Sequence, residues 1–190
     1  MKNRKQHIYE EAAILFREKG YMATSMRELA VRVGLEPSSL YSHIKSKEEI
    51  LRKICFDNAR RFIVGIEEID QNFLTPTQKI EAIINLHIEV AIEDCTSTTV
   101  FNDEWRHLSE PKLSEFLKLR RLYEEKFKRI ITEGIAKGQF KNLKPSTVMY
   151  TLLSSVRWIH YWHRPGKDPR MPELKKEITL MLMSGLKVSH

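Results

Sequence analysis

Ser38, Ser39, Ser42 and His43 form the first group whose chemistry can be argued from residue type and spacing. At about 100° per residue, Ser38 and Ser42 fall on one side of a helix, flanked by Ser39 and His43, while Leu40 and Ile44 share the opposite stripe. The outward face is small, hydrogen-bonding and free of Asp and Glu. Such a face suits base edges in the major groove of a duplex, because it offers hydroxyl and imidazole groups without repelling phosphate.

A second group lies towards the other end of the chain. His160 and His163 stand i, i+3 apart and, with Asp103 or His107, are of the types that hold a metal ion. The neighbouring Trp158, Tyr161 and Trp162, with Arg157 and Arg164 beside them, suit an organic ligand instead; its pocket would use Trp105, Arg121, Trp158, His160 and Trp162. The plainer reading is preferred to both: aromatics in a core or at a subunit contact, and histidines satisfied or at the surface. The chain has no HExxH, nucleophile elbow or phosphate loop, so no catalytic residue and no metal are expected.

The elements that must position the serine face are signalled locally. Met26, Leu29, Ala30 and Val33 recur at i, i+3, i+4 and i+7, the spacing of one buried helical face. Ser25 with Glu28 predicts a capping box at its start, Gly34 a left-handed stop, and Pro37 the first turn of the next helix. Upstream, Ile8, Ala12, Leu15 and Phe16 give a first helix that Gly20 ends. Downstream, Ser46 with Glu49 predicts a second capping box that puts Lys47 at N1. An ammonium beside the positive end of a helix dipole costs a few tenths of a kcal/mol unless an anion arrives, and a DNA phosphate is the obvious one. Met1 to Lys5 is a basic arm within reach of the minor groove or phosphates, although a solvated terminus is the commoner outcome.

Beyond this head every periodicity is helical. Helices are expected from Ser46 to about Gln71, from the Thr75–Pro76 cap to about Asp94, from Phe101 to Leu108, from Lys112 to Lys137, from Pro145 to about His163 and from Pro172 to Lys187, with CTSTT at 95–99 as a break. No strand-like alternation or internal repeat is present. The expected class is all-α with about nine helices: a three-helix helix-turn-helix DNA-binding domain in residues 1–50, and a helical ligand-binding and dimerisation domain in residues 51–190. The last two helices are apolar on more than one face, which predicts a homodimer paired through them.

Charge supports the placement. The net charge is +7, and through Lys47 there are nine Lys or Arg against five Glu, so more than half the excess lies in the first quarter of the chain. That neutralises only a handful of phosphates per subunit, so binding to double-stranded DNA should be salt-sensitive and need two half-sites. Cys55 and Cys95 are forty residues apart without CxxC spacing and are expected as buried thiols. No apolar leader and no run near about 18 apolar residues occurs, so a soluble, cytoplasmic protein with no membrane partner is expected.

The run from Thr24 through Gly34 to Tyr41, Lys47 and Leu51, preceded by AAILFREKGYMATS, resembles the N-terminal domain of the TetR family of bacterial transcriptional regulators over about the first quarter of the chain. The resemblance implies that Thr24, Ser25, Arg27, Tyr41 and Lys47 contact the sugar-phosphate backbone and that Ser38, Ser39, Ser42 and His43 face bases. It also implies dimerisation by the last two helices. Ile44 stands where an aromatic is more usual, yet fills the same core position, and Pro37 leaves base reading to fewer side chains. The Trp, Trp, His, Arg-Pro-Gly segment before the last helix is similar to a subset of the family that responds to acyl-coenzyme A thioesters. There an apolar channel would take the acyl chain, and Arg120, Arg121, Lys126, Lys128 and Arg129 would form a basic rim; the other reading of that charge run is a solvated face. The expected function is a ligand-released repressor that binds a palindromic operator as a homodimer, with no cofactor and with an acyl-CoA thioester or other apolar small molecule as effector. A ligand-independent nucleoid-type DNA binder and a metal-dependent helical enzyme are the alternatives.

Overall fold

Glycine and proline set the helix boundaries around the serine face. In the computed structural model, which describes residues 4–162 and 171–188, helix α1 spans Arg4–Lys19, α2 Met26–Arg32, α3 Pro37–His43 and α4 Lys47–Gln71. Gly34, at φ 66°, closes α2: its N–H returns to Val31 O at 3.1 Å and that of Leu35 to Ala30 O at 2.9 Å. These two bonds satisfy carbonyls that the helix end would otherwise leave bare, in a conformation that only glycine enters without steric cost. Pro37 then begins α3 at the one turn where its missing N–H is harmless.

The remaining elements are α5 (Pro76–Glu93), α6 (Cys95–Asp103), a single 3-10 turn (Trp105–His107), α7 (Lys112–Ala136), α8 (Pro145–Arg157), α9 (Ile159–Trp162) and α10 (Met171–Leu186). The fold is all-α, as expected, but three boundaries differ, the helix expected over Phe101 to Leu108 being divided between the end of α6 and the 3-10 turn. CTSTT does not break the chain; it opens α6, because Cys95, Thr98, Thr99 and Val100 are all buried. The few tenths of a kcal/mol by which threonine disfavours helix are outweighed by that burial. The helix begun at Pro145 stops at Arg157, and the N–H groups of Tyr161 and Trp162 both return to Trp158 O, at 3.1 and 3.2 Å, as α9 starts afresh. His163 and the Arg-Pro-Gly stretch lie outside the described residues, as do Met1 to Asn3 of the basic arm.

By their internal contacts the residues group into two units, Met1–Ala59 with Thr96–Leu117, and Arg60–Cys95 with Lys118–His190. This grouping follows packing rather than chain order, so α6 and the start of α7 belong with the first three helices. In the first unit Ile8, Phe16, Leu29, Leu40, Ile44 and Leu51 are fully or almost fully buried. In the second, α5 packs against α8, α9 and α10, with Ile80, Ile83, Ile84 and Ile88 buried along it. Gly65 of α4 lies so near α5 that a methyl group there would come within 2.6 Å of the Leu86 side chain. Cys55 and Cys95 are both buried, as expected, and burial pushes the Cys55 thiol up to about 12. No helix among the described residues is long and apolar enough to cross a membrane.

Candidate nucleic-acid interface

Helix α3 is held by its apolar stripe. Leu40 and Ile44 are completely buried, and the Ile44 N–H closes the helix on Leu40 O at 3.0 Å. With that stripe fixed, Ser38, Ser39, Tyr41 and Ser42 are exposed and His43 is half-buried. Ser42 Oγ donates to Ser39 O at 2.7 Å, which leaves its lone pairs outward. The face is the one expected from the spacing: hydroxyls and an imidazole, with no carboxylate among them.

The approach to this face is braced from α1 and α4. Arg4 donates from Nη2 to Val33 O at 3.2 Å, tying the first turn of α1 to the end of α2. Ser25 caps α2 by accepting from the Glu28 N–H at 3.1 Å, and it is exposed together with Arg27. Ser46 caps α4 in the same way, accepting from the Glu49 N–H at 3.2 Å. The Glu49 carboxylate does more than a cap requires. It accepts from Lys45 N at 2.9 Å, Lys5 Nζ at 3.2 Å and Tyr9 Oη at 3.1 Å, so one side chain joins the end of α3, the start of α1 and the first turn of α4. Burial alone would raise its pKa, but these donors outweigh that and hold it below the usual carboxylate range. Tyr9 is pushed up to about 12 by burial and by Glu49. Sequence reading took Glu49 as a capping residue only; the spacing of Lys5 and Tyr9, i and i+4 on α1, is the signal that points towards it.

Two residues assigned to the sugar-phosphate backbone are turned inward. Thr24 is buried, with its hydroxyl donating to Gly20 O at 2.9 Å. Lys47 spends its ammonium on Tyr21 O (3.0 Å), Met22 O (3.3 Å) and Thr24 O (3.1 Å), and lies 4.4 Å from the centre of the Tyr21 ring. The carbonyl oxygens supply the negative partners that a cation at a helix start needs. Tyr21 itself is buried, stacked on His107 at 5.5 Å and edge-on to Phe16 at 5.2 Å.

The residues expected to line a ligand pocket fall in both units and in different settings. Trp105 belongs to the first unit and stacks on Phe116 at 5.8 Å. Arg121 is exposed on α7. Trp158 and Trp162 pair edge-to-face at 5.7 Å, but both are outward, at 41% and 48% exposure. His160 is buried, with its ring 4.1 Å from that of Tyr161. The physical reason is the restart at Trp158, which turns Ile159 and His160 in towards α5 and leaves the tryptophans on the surface. The basic run on α7 is largely engaged as well: Arg120 pairs with Glu124 at 3.2 Å, Lys126 with Glu67 at 3.0 Å, and Arg129 with Asp70. Among the described residues no three His, Cys, Asp or Glu gather as they would around a metal ion.

The polar pair inside the second unit was missed. His87 of α5 stacks on Phe62 at 4.4 Å, and its Nε2 lies 2.7 Å from Tyr123 Oη of α7. Burial depresses the imidazole to about 4 and raises the phenol, so the pair is neutral at pH 7. In the sequence His87 is one member of an otherwise apolar stripe, and that oddity is its only signal.

A short capped helix, a glycine turn, and a second helix that presents hydroxyls outward define a helix-turn-helix DNA-binding protein. Residues 8–54 match the family described as bacterial regulatory proteins, tetR family, and residues 74–186 match the tetracyclin repressor-like C-terminal domain. The second match alone covers more than half of the chain, and the protein belongs to the TetR family of transcriptional regulators. Over 190 residues it is 23% identical to the HTH-type transcriptional repressor KstR2 of Mycolicibacterium smegmatis, covering 99% of this chain and 93% of that one. Its fold is similar to that of the ketosteroid transcriptional regulator KstR2 of Mycobacterium tuberculosis, with a TM-score of 0.92, 21% identity, and coverage of 100% of this chain and 97% of the other. It is also similar to AibR, solved in complex with isovaleryl coenzyme A and operator DNA, with a TM-score of 0.82, 21% identity, and coverage of 95% and 98%.

Proposed function

We propose that this regulator is a homodimeric repressor released from a palindromic operator by an acyl-coenzyme A thioester. The observation that carries the reading is the outward face of α3. Ser38, Ser39, Ser42 and His43 read bases there, and Ser25, Arg27 and Tyr41 hold the sugar-phosphate backbone. DNA binding is assigned to residues 1–50, and effector binding and pairing to residues 51–190. A dimer is favoured by the second, outward stripe of α10, where Leu180 and Met181 are exposed beside Ser184 and Gly185, and by exposed Tyr150 and Trp158 on α8 and its cap. Apolar surface of this kind on α8 and α10 is covered most simply by its own symmetry mate. Two copies of α3 then meet major grooves about 34 Å apart. The effector class is supported by the resemblance of the chain to AibR, whose structure holds isovaleryl coenzyme A. The effector acts by favouring a conformation of the pair in which the two copies of α3 no longer match that spacing.

The test is duplex selection from a random library, followed by gel shift with and without acyl-CoA thioesters of increasing chain length. An inverted repeat that is released by one thioester class and not by free coenzyme A is the expected result. A selected duplex with no symmetry, or one indifferent to every thioester, overturns the dimer or the effector respectively. Mass spectrometry of small molecules co-purified with native protein gives an independent readout of the effector.

A further inference from the structure

The second unit holds a polar pair whose hydrogen bonding does not balance. A neutral histidine carries one N–H and a tyrosine one O–H, so together they have two donors. His87 Nε2 and Tyr123 Oη, 2.7 Å apart, share one bond, and neither side chain makes another among the described residues. Whichever way that bond runs, one donor is left over. The rings around the pair offer no good acceptor: Phe62 of α4 stacks on the imidazole at 4.4 Å, and Phe127 of α7 lies edge-on to Tyr123 at 6.1 Å.

Exposure decides where the leftover donor sits. Tyr123 is buried, whereas His87 is half-buried. Its Nδ1 has no hydrogen-bond partner among the described residues, yet it is not sealed inside the protein, so it borders space that a small molecule can enter. A spare donor costs least where it can be met from outside. The arrangement that achieves this has the Tyr123 O–H donating to Nε2 and the imidazole proton on Nδ1. The stack on Phe62 fixes the plane of the ring, and with it the direction of that N–H. Being neutral, the pair brings no charge to a carboxylate or phosphate. A single uncharged N–H among aromatic rings suits an uncharged carbonyl oxygen on an apolar chain.

We propose that His87 Nδ1–H donates to the carbonyl oxygen of the acyl thioester, and that Tyr123 is the positioning residue that holds the imidazole in the tautomer this requires. The inference deepens the effector reading above and rests on it.

The test is direct binding to the full-length protein without DNA, measured by calorimetry. The probes are isovaleryl-, octanoyl- and palmitoyl-coenzyme A, each beside the S-alkyl-coenzyme A thioether of the same chain, in which a methylene replaces the carbonyl. For a chain that binds, the parent should favour the thioester over its thioether by about tenfold. His87→Phe should bind the two alike, and Tyr123→Phe should keep only part of the preference. A role confined to stability would leave that ratio untouched. A parent that binds thioester and thioether alike overturns the inference while the effector reading stands, and so does a His87→Phe variant that retains the preference. A parent that binds no thioester overturns the effector reading, and this inference with it. The tautomer is read separately, from imidazole 15N shifts of the free protein, with His87→Phe to assign the signal. A protonated Nδ1 and a bare Nε2 are expected, and Tyr123→Phe should move the proton towards Nε2; a proton on Nε2 in the parent overturns the inference. Should His87→Phe fail to fold, His87→Gln assigns the signal, and the parent's ratio and tautomer decide.

Discussion

The two compact units differ in how far their polar groups are withdrawn from water. In the first, helix starts are set by caps that act over three residues, Ser25 on Glu28 and Ser46 on Glu49, alongside long-range links that stay partly wet, such as those of Glu49 to Tyr9 and Lys47 to Tyr21. In the second, the polar contacts singled out lie largely inside and join helices, as His87 does with Tyr123, 36 residues away, and Lys79 with Asp70, nine residues away. A cap is built into the local sequence and remains wet. A buried pair exists only after folding has brought two helices together, so its stability contribution depends on both partners and on pH.

The largest expected effect is therefore a pH dependence that comes from the second unit. His87 is neutral in the folded chain down to about 4, whereas in the unfolded chain it takes a proton near its ordinary value of about 6.5. Between these values the unfolded state binds more protons, so the contribution is fully present above about 6.5 and is lost as pH falls towards 4. The ceiling is about 3 kcal/mol, and about 2 kcal/mol of it should be gone by pH 5. Urea unfolding at pH 7 and pH 5 measures this, and His87→Phe, which keeps a ring against Phe62, should lose that part of the slope. An identical slope in the variant would show that the imidazole is not buried in its neutral form.

Next in size is Tyr123→Phe. Removing one hydroxyl leaves His87 Nε2 without its partner in an apolar site, at a cost of about 1–3 kcal/mol, with a thermal midpoint lower by several degrees. No such loss is expected from removing a hydroxyl on α3. Should the variant match the parent within about 0.5 kcal/mol, the contact with His87 does not stabilise the fold and the contrast between the units weakens.

This contrast also explains what could be read from the sequence. Gly20, Gly34 and Pro37 act on their own backbone, and Leu40 and Ile44 share a stripe by spacing alone, so the serine face followed from neighbours within one or two turns. Lys47 was placed correctly at the start of α4, but its carbonyl partners in the free protein were not legible, because they lie 23 to 26 residues earlier in the chain. CTSTT was taken for a break, and burial of Thr98 and Thr99 in α6 overrode the weak helix preference of threonine. Trp105, Arg121, Trp158, His160 and Trp162 were grouped by composition, which carries no information about direction; the restart at Trp158 then turned Trp158 and Trp162 one way and His160 the other.

Within the first unit the contrast can be repeated on a smaller scale. Ser25→Ala removes the acceptor for the Glu28 N–H and should cost about 1 kcal/mol, while Ser25→Asn should restore most of it. Thermal unfolding measures both. A loss in Ser25→Ala that asparagine does not recover would mean that the serine acts through something other than its cap.

The smallest effect on stability is expected at Ser38, and its smallness is informative. The residue is exposed in the first turn of α3, beside a buried leucine that holds the helix whether or not the hydroxyl is present. Ser38→Ala should therefore change stability by no more than about 0.5 kcal/mol, as surface substitutions do. Its effect should fall on binding, at about 1–3 kcal/mol for the selected duplex and less for an unrelated one, since a base contact specifies while a phosphate contact only holds. Equal weakening on both duplexes, with a shallower dependence on salt, would transfer Ser38 from the base-reading set to the backbone set. A loss of stability comparable to that of Ser25→Ala would mean that the hydroxyl holds the fold, and α3 would then present fewer groups to the groove than its sequence suggests.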